Sequence, residues 1–127
     1  MLYFIIQGIP YQEVDSSYVP WLVLSLLVLA HFLGDFVFQT DYIAKNKDPA
    51  NTSFGLASYM LFVHSFIHAG LVLLLTASLK LSIIMLVTHF VIDILKVCKV
   101  ITYFFDQALH FLVILLILLV YIDLITH

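Results

Sequence analysis

The sequence predicts an all-α membrane protein, an antiparallel four-helix transmembrane bundle with short loops. Three observations predict it. The 127 residues are 64% hydrophobic and only 10% charged, with a mean hydropathy of +1.15, a composition suited to a bilayer rather than to water. Four apolar stretches each approach the ~20 residues that a helix needs to cross a bilayer, whereas barrel strands would be half as long and strictly alternating. Polar, turn-forming residues separate the stretches, and short connections make neighbouring helices antiparallel.

Residues 1–19 read as an N-terminal interfacial, extracytoplasmic segment. Met1–Ile6 is apolar but too short for a signal-peptide core, no Lys or Arg precedes it, and Gln7, Gly8, Pro10 and Gln12–Ser17 interrupt it. Residues 20–127 form the transmembrane domain. Its first span covers about residues 20–44, with Pro20 suited to a first helical turn and Trp21 to an interfacial anchor. Lys45, Asn46, Lys47, Asp48, Pro49 and Asn51 then form a polar turn, and Asn51, Thr52 or Ser53 caps the next helix. The second span covers about 54–79, and Ser78, Lys80 and Ser82 mark the turn after it. The third covers about 81–100 and the fourth about 103–125. Neither Gly nor Pro separates the last two, so that turn is tight.

Lys45, Lys47, Lys96 and Lys99 fall at one end of these spans. Glu13, Asp15, Asp123 and Lys80 fall at the other. The excess of positive charge in cytoplasmic loops then places a multi-pass protein in the cell (inner) membrane with both termini outside the cytoplasm. The chain has five Lys and no Arg, which excludes nucleic acid as a partner. A net charge of -3 implies no partner by itself. Cys98 is the only cysteine, so neither an intrachain disulfide nor a thiolate metal site is expected, and it reads as packing.

Within these apolar spans sit polar pairs at one spacing. His31 and Asp35 are four apart, as are His64 and His68, His89 and Asp93, and Asp106 and His110. Residues four apart on a helix drift by only about 40°, so each pair shares a face. Counted inward from the outer helix ends, the pairs lie at ~12–25 Å, from mid-membrane to the inner half. An Asp at the bilayer centre costs ~2.5–3.5 kcal/mol on insertion scales. A bound cation offsets several such groups at once.

The eight residues His31, Asp35, His64, His68, His89, Asp93, Asp106 and His110 therefore form the candidate metal shell. They suffice for one or two divalent ions. His and Asp without sulfur suit zinc first, with iron, manganese or nickel also compatible. The absence of Glu and of a Glu-x-x-His pair in the spans argues against a ferritin-like di-iron site. Asp35 and Asp106 are candidate catalytic carboxylates. Lys96, seven residues after His89, is a candidate for holding an anionic group, although a lysine near a span end also reads as one that snorkels to the interface. With Lys96 the sole cation counted, two ions leave a positive surplus and one ion leaves none. Gln39 and Gln107 are candidate hydrogen-bond partners for ligands or substrate; with Asp41 and Tyr42 they read more simply as interfacial polar residues. Gly34 suits a close helix approach. For a single histidine, an interhelical hydrogen bond is explanation enough; four pairs at matched depth point to function.

On these residues the sequence resembles the domain of unknown function 3307 family of small bacterial and phage membrane proteins. The resemblance rests on His31–Asp41 (HFLGDFVFQTD) with Lys47 after it, on His64 and His68, on His89–Lys96 (HFVIDILK) and on Asp106–His110 (DQALH). It runs from about Leu27 to the C-terminus and implies no established activity. More distantly, the pattern is similar to proteins described as membrane-bound metal-dependent hydrolases. Three functions are then expected in turn. The first is a metal-dependent hydrolase acting on an anionic or lipid substrate. The second is a metal or proton transporter or channel subunit, for which four helices are few unless the chain forms a homo-oligomer. The third is a structural or accessory membrane protein whose polar core only fixes the bundle. A helix broken in mid-span favours the second, and Gly34 and Gly70 stand isolated in the sequence.

Overall fold

A computed structural model describes residues 16–126, so the expected interfacial segment 1–19 lies almost wholly outside the described residues. The described chain is helical, with no strand among its residues. A short 3-10 turn, Ser16–Tyr18, leads into α1 (Val19–Phe32), which has Pro20 in its first turn. A π-helical turn, Leu33–Val37, continues α1, and the short α2 (Asp41–Asn46) follows after a bend. The long helices α3 (Phe54–Thr76), α4 (Leu79–Val97) and α5 (Tyr103–Thr126) complete the chain.

Local chemistry sets these boundaries. Thr40, Ser53 and Ser78 adopt extended backbone and accept N–H bonds from Ile43, Leu56 and Leu81 at 3.3, 3.4 and 3.4 Å. Each hydroxyl thereby satisfies one of the donors left free at a helix start. Of the three candidate caps before α3, Ser53 is the one used. Helix α3 ends on Ala77 at φ 53°, a left-handed conformation that costs an L-residue roughly 1–2 kcal/mol. Lys99 takes the same conformation, φ 58°, in the turn between α4 and α5, where Val100 N–H reaches back to Leu95 O at 2.9 Å. That turn manages without glycine because a lysine occupies the glycine-like position.

The first apolar run is not one continuous α-helix to residue 44. The N–H of Phe38 bonds to Leu33 O at 2.9 Å, five residues back, and the helix is interrupted before Thr40 starts α2. Both irregular segments matter for the site described below.

The four long helices close a ring. Helix α1 packs on α3 and α5, α3 packs on α4, and α4 packs on α5. Ser82 Oγ donates to Ala69 O at 2.9 Å, tying α3 to α4 close to their connecting turn. The ring interior divides in two along its length. One part is apolar, built from Val23, Leu27, Val72, Leu81, Met85, Ile114, Ile117 and Tyr121. The other part is polar and holds the His and Asp side chains. The exterior is greasy: Phe36, Phe66, Leu74, Val87, Phe104 and Leu119 are all exposed. A polar inside and an apolar outside invert the arrangement of a water-soluble domain. Three helical stretches, Val19–Val37, Phe54–Thr76 and Tyr103–Ile125, are long and apolar enough to cross a membrane. Helix α4 differs in carrying Lys80, Asp93 and Lys96 within its 19 residues. Cys98, expected as packing, is instead exposed just past the end of α4.

Ala77→Gly removes the left-handed penalty without touching any packed side chain. The substitution is expected to raise stability by about 1 kcal/mol, read as a shifted midpoint in detergent unfolding followed by circular dichroism.

Candidate metal centre

The polar half of the interior gathers one side chain or more from every long helix. His31 comes from α1, Asp35 from the π turn, His64 and His68 from α3, His89 and Asp93 from α4, and Asp106 and His110 from α5. The five histidines, Asp93 and Asp106 are each at most 3% exposed. The imidazoles touch one another. His89 stacks between His68 and His110, with ring centroids 3.8 and 4.2 Å away, and His64 lies 5.0 Å from it. His31 lies 5.2 Å from His68 and 5.1 Å from His110.

The carboxylates interleave with these rings. Asp35 Oδ1 is 3.1 Å from His68 Nε2 and 3.3 Å from His64 Nε2, and its Oδ2 is 3.4 Å from His31 Nε2. Asp93 lies 3.7 Å from His64 Nε2 and 3.5 Å from His110 Nε2. Asp106 Oδ1 is also 3.5 Å from His110 Nε2. Two sets of donor atoms each converge within 4.8 Å: Asp35, His64, His68 and His89 in one, and His89, Asp93 and His110 in the other. Either set could hold a metal ion, and His89 belongs to both. His31 and Asp106, expected as ligands, join the cluster by contact but fall outside both converging sets. All eight expected shell residues are thus brought together, and six of them supply the converging donors.

The remaining candidates sit at the rim. Lys96 Nζ donates to Asp106 Oδ2 at 2.9 Å and lies over the Tyr103 ring at 5.1 Å. Its ammonium is thus tied into the cluster instead of snorkelling free. Gln107 Nε2 donates to the same Asp106 oxygen at 3.0 Å. Gln39 bonds to backbone and to a lysine: its Nε2 contacts Asp35 O at 3.5 Å and its Oε1 accepts from Lys47. Asp41 heads α2, and Tyr42 is exposed.

Lys47 is the residue that sequence reasoning missed. Expected as a topology-setting charge in a polar turn, it folds inward. Its Nζ donates to Gln39 Oε1 at 2.7 Å and to Asp93 Oδ2 at 3.2 Å, and its side chain is only 12% exposed. The one signal for it was its place in the family-like motif after His31–Asp41, because spacing on a helix cannot report a residue beyond a bend. Lys45 and Lys99 remain as the lysines at that end not engaged with the cluster's carboxylates.

The backbone also shapes the centre. A Cβ on Gly34 would collide with the imidazole of His68, at its Cε1, Nε2 and Nδ1 atoms. Only glycine lets the π turn approach α3 closely enough for Asp35 to reach both α3 histidines. π turns recur at functional sites, where they re-aim a side chain.

Buried polar satisfaction points to a missing partner. Six buried side-chain atoms make no well-formed hydrogen bond among the described residues: both ring nitrogens of His31 and of His89, Nδ1 of His64 and Oδ1 of Asp106, of which His31 Nε2 and Asp106 Oδ1 have only the long contacts given above. All six belong to this cluster. An unsatisfied buried polar atom costs about 1–3 kcal/mol, and folded proteins keep few of them. A cation accepts lone pairs from imidazole and carboxylate together and relieves several at once.

An all-helical chain with membrane-length apolar helices and a buried His/Asp cluster defines a class: membrane-type helical proteins with a site able to hold metal. The chain belongs to the family described as "Protein of unknown function (DUF3307)", whose model matches residues 23–127. No curated protein and no solved structure matches it.

Gly34→Ala is expected to push His68 out of place, costing about 1–3 kcal/mol of stability through overpacking and lowering the content of any metal that the cluster holds. Gly70→Ala is the control, since a Cβ there meets nothing within 4 Å. Elemental analysis of the two purified variants separates a general effect of alanine from the loss of this one approach.

Proposed function

We propose that the chain is an integral protein of the cell (inner) membrane that crosses it four times as an antiparallel bundle, with both termini outside the cytoplasm. Within the bundle the His/Asp cluster holds one or two divalent ions, zinc foremost. Its chemistry is metal-dependent hydrolysis of a membrane-accessible ester or phosphoester. The observation that carries this reading is the convergence of two His/Asp donor sets that share His89, with unpartnered buried ring nitrogens on His64 and His89. The charged residues of α4 support its crossing with the others, because Asp93 points into the ring and Lys80 and Lys96 lie near the helix ends.

When bound, the ion supplies a water acidified enough to act as hydroxide at neutral pH. The chain's own groups divide the remaining work. Asp35, His64, His68, His89, Asp93 and His110 are the ligands of the two converging sets. Asp106 lies outside those sets and is fully buried, and its Oδ1, 3.5 Å from His110 Nε2, makes no well-formed hydrogen bond, which suits a general base that takes a proton from water. Lys96, bonded to the other oxygen of Asp106, orients that carboxylate and offers a positive charge to an anionic substrate. Access is from the Lys96 end, where Lys96 and Asp35 have partly exposed side chains. The opposite end is filled by Leu27, Leu81, Ile114 and Ile117.

One observation favours a second reading, transport of the ion or of protons. The first apolar helix is broken beside Asp35, and interrupted helices mark ion sites in transporters. The apolar plug opposes it, since ions need a path from both sides. A purely structural polar core accounts for neither the orphan atoms nor their confinement.

Elemental analysis of protein purified in mild detergent tests the proposal. About one or two divalent ions per chain are expected, falling to none in the His64→Ala, His68→Ala double variant. Hydrolysis of a chromogenic phosphoester should stop on chelation and return with zinc. A metal-free protein that stays folded would favour the structural reading, and zinc flux into proteoliposomes the transport one.

A further inference from the structure

Two ammonium groups reach the carboxylates of the centre, from different elements but at the same end. Lys47 follows α2 and pairs with Asp93, while Lys96 lies in the last turn of α4 and pairs with Asp106. The two carboxylates meet on one imidazole: His110 Nε2 is 3.5 Å from Asp93 Oδ1 and 3.5 Å from Asp106 Oδ1. The order Lys47–Asp93–His110–Asp106–Lys96 is therefore a continuous chain of polar contacts across the mouth, with an ammonium group at each end. We infer that Lys47 and Lys96 form a subsite for a phosphate group, carried by a soluble phosphate or by a lipid headgroup. The inference rests on the metal-centre reading above and names the chemistry of its substrate.

Charge balance carries the argument. With the histidines neutral, the centre holds three carboxylates (Asp35, Asp93 and Asp106) against two ammonium groups, a deficit of one positive charge. Counting Lys96 alone, a single divalent ion would have made the centre neutral. Counting Lys47 as well, a single divalent ion makes it net positive, and a second makes it more so. A buried positive surplus calls for an anion.

Geometry says where the anion goes. The set of His89, Asp93 and His110 provides three donors where the other set provides four. With three protein donors, the His89, Asp93 and His110 set would leave room for a further ligand on an ion held there, as catalytic zinc sites do, whereas four donors suit a closed site. Were Asp93 engaged by an ion, the Lys47 ammonium that now pairs with it at 3.2 Å would be available to an anion. Lys96 borders the same mouth with a side chain 30% exposed. A phosphate monoester carries about 1.5–2 negative charges near neutral pH, and lysine binds phosphate as a mobile point charge. That charge suits the surplus of a two-ion centre better than a singly charged carboxylate does.

The test is binding of inorganic phosphate to zinc-loaded protein in phosphatidylcholine nanodiscs, with zinc content measured on every sample. Lys47→Met and Lys96→Met should each weaken phosphate binding about tenfold, the loss of one charge-assisted contact, while zinc content stays unchanged. Lys47→Arg and Lys96→Arg should recover most of the affinity, which separates lost charge from misfolding. Adding phosphatidic acid to the nanodiscs identifies the source: competition marks a lipid headgroup and its absence a soluble phosphate, and either leaves the subsite standing. Zinc-loaded protein that binds no phosphate, or binds it equally after both Met substitutions, overturns the subsite while leaving the metal centre intact. Loss of zinc from the Met variants overturns it too, since the lysines would then serve the metal and not an anion. A wild-type protein without zinc fails the metal-centre reading itself, and the subsite with it.

Discussion

Two buried carboxylates, a third at the rim and five buried imidazoles lie inside a ring of apolar helices, and the rest of the structure follows from having to make that tolerable. Taking a charged carboxylate out of water costs several kcal/mol even after relaxation. Hydrogen bonds and ion pairs offset part of it: Asp35 is held by two imidazoles of α3, and Asp93 and Asp106 each by a lysine. The pairing is nevertheless incomplete, because the imidazoles lean on one another more than on acceptors. Stacking of His89 between His68 and His110 leaves both of its nitrogens without a partner. Packing that favours ring against ring at the expense of ring against acceptor makes sense when the nitrogens converge on a cation.

The division of the interior into an apolar and a polar half gives this centre a direction. Val72 and Ser82, near the α3–α4 turn, pack at the end where α1 begins and α5 finishes. The ionisable groups lie toward the other end, where α1 gives way to the π turn, α4 ends and α5 begins. A site sealed on one side and bordered by polar rim residues on the other is suited to a reactant that arrives and leaves by the same route. This asymmetry bears more on function than the mere presence of ionisable groups in apolar helices, which a transporter would share.

Much of this was legible in the sequence, and the parts that were not share a cause. The i,i+4 pairs were readable because a regular helix converts spacing into a shared face, and the helical class followed from composition. Lys47 and the interrupted first helix were not readable, because both depend on backbone that departs from a regular helix. An isolated Gly34 in an apolar run looks the same whether it eases helix packing or makes room for the His68 ring. Past the bend no angular rule connects Lys47 to Asp93, 46 residues away in sequence. The charge count changes for the same reason: spacing leaves Lys47 in a polar turn, whereas its ammonium pairs with Asp93 and belongs to the centre's balance. Cys98 and the Lys99 turn were obscured similarly, since a positive φ at lysine leaves no trace in residue type.

The irregular stretch from Leu33 to Thr40 then does more than deform a helix. Had α1 continued regularly to residue 44, Gln39 and the residues after it would have kept climbing the same helix axis, away from α4. The π turn widens the helix at the one place where Gly34 allows it to lie against His68, and so delivers Asp35 to α3. The interruption after it lets the short α2 leave the axis, and Lys47 comes back to meet Gln39 and Asp93. One local distortion therefore supplies both a ligand-type carboxylate for the four-donor set and a cation for the edge of the three-donor set. Because the two arrive on the same segment, a change in the π turn should be felt at Lys47 as well as at Asp35, coupling the contacts of Asp35 with α3 to the pairing of Lys47 with Asp93.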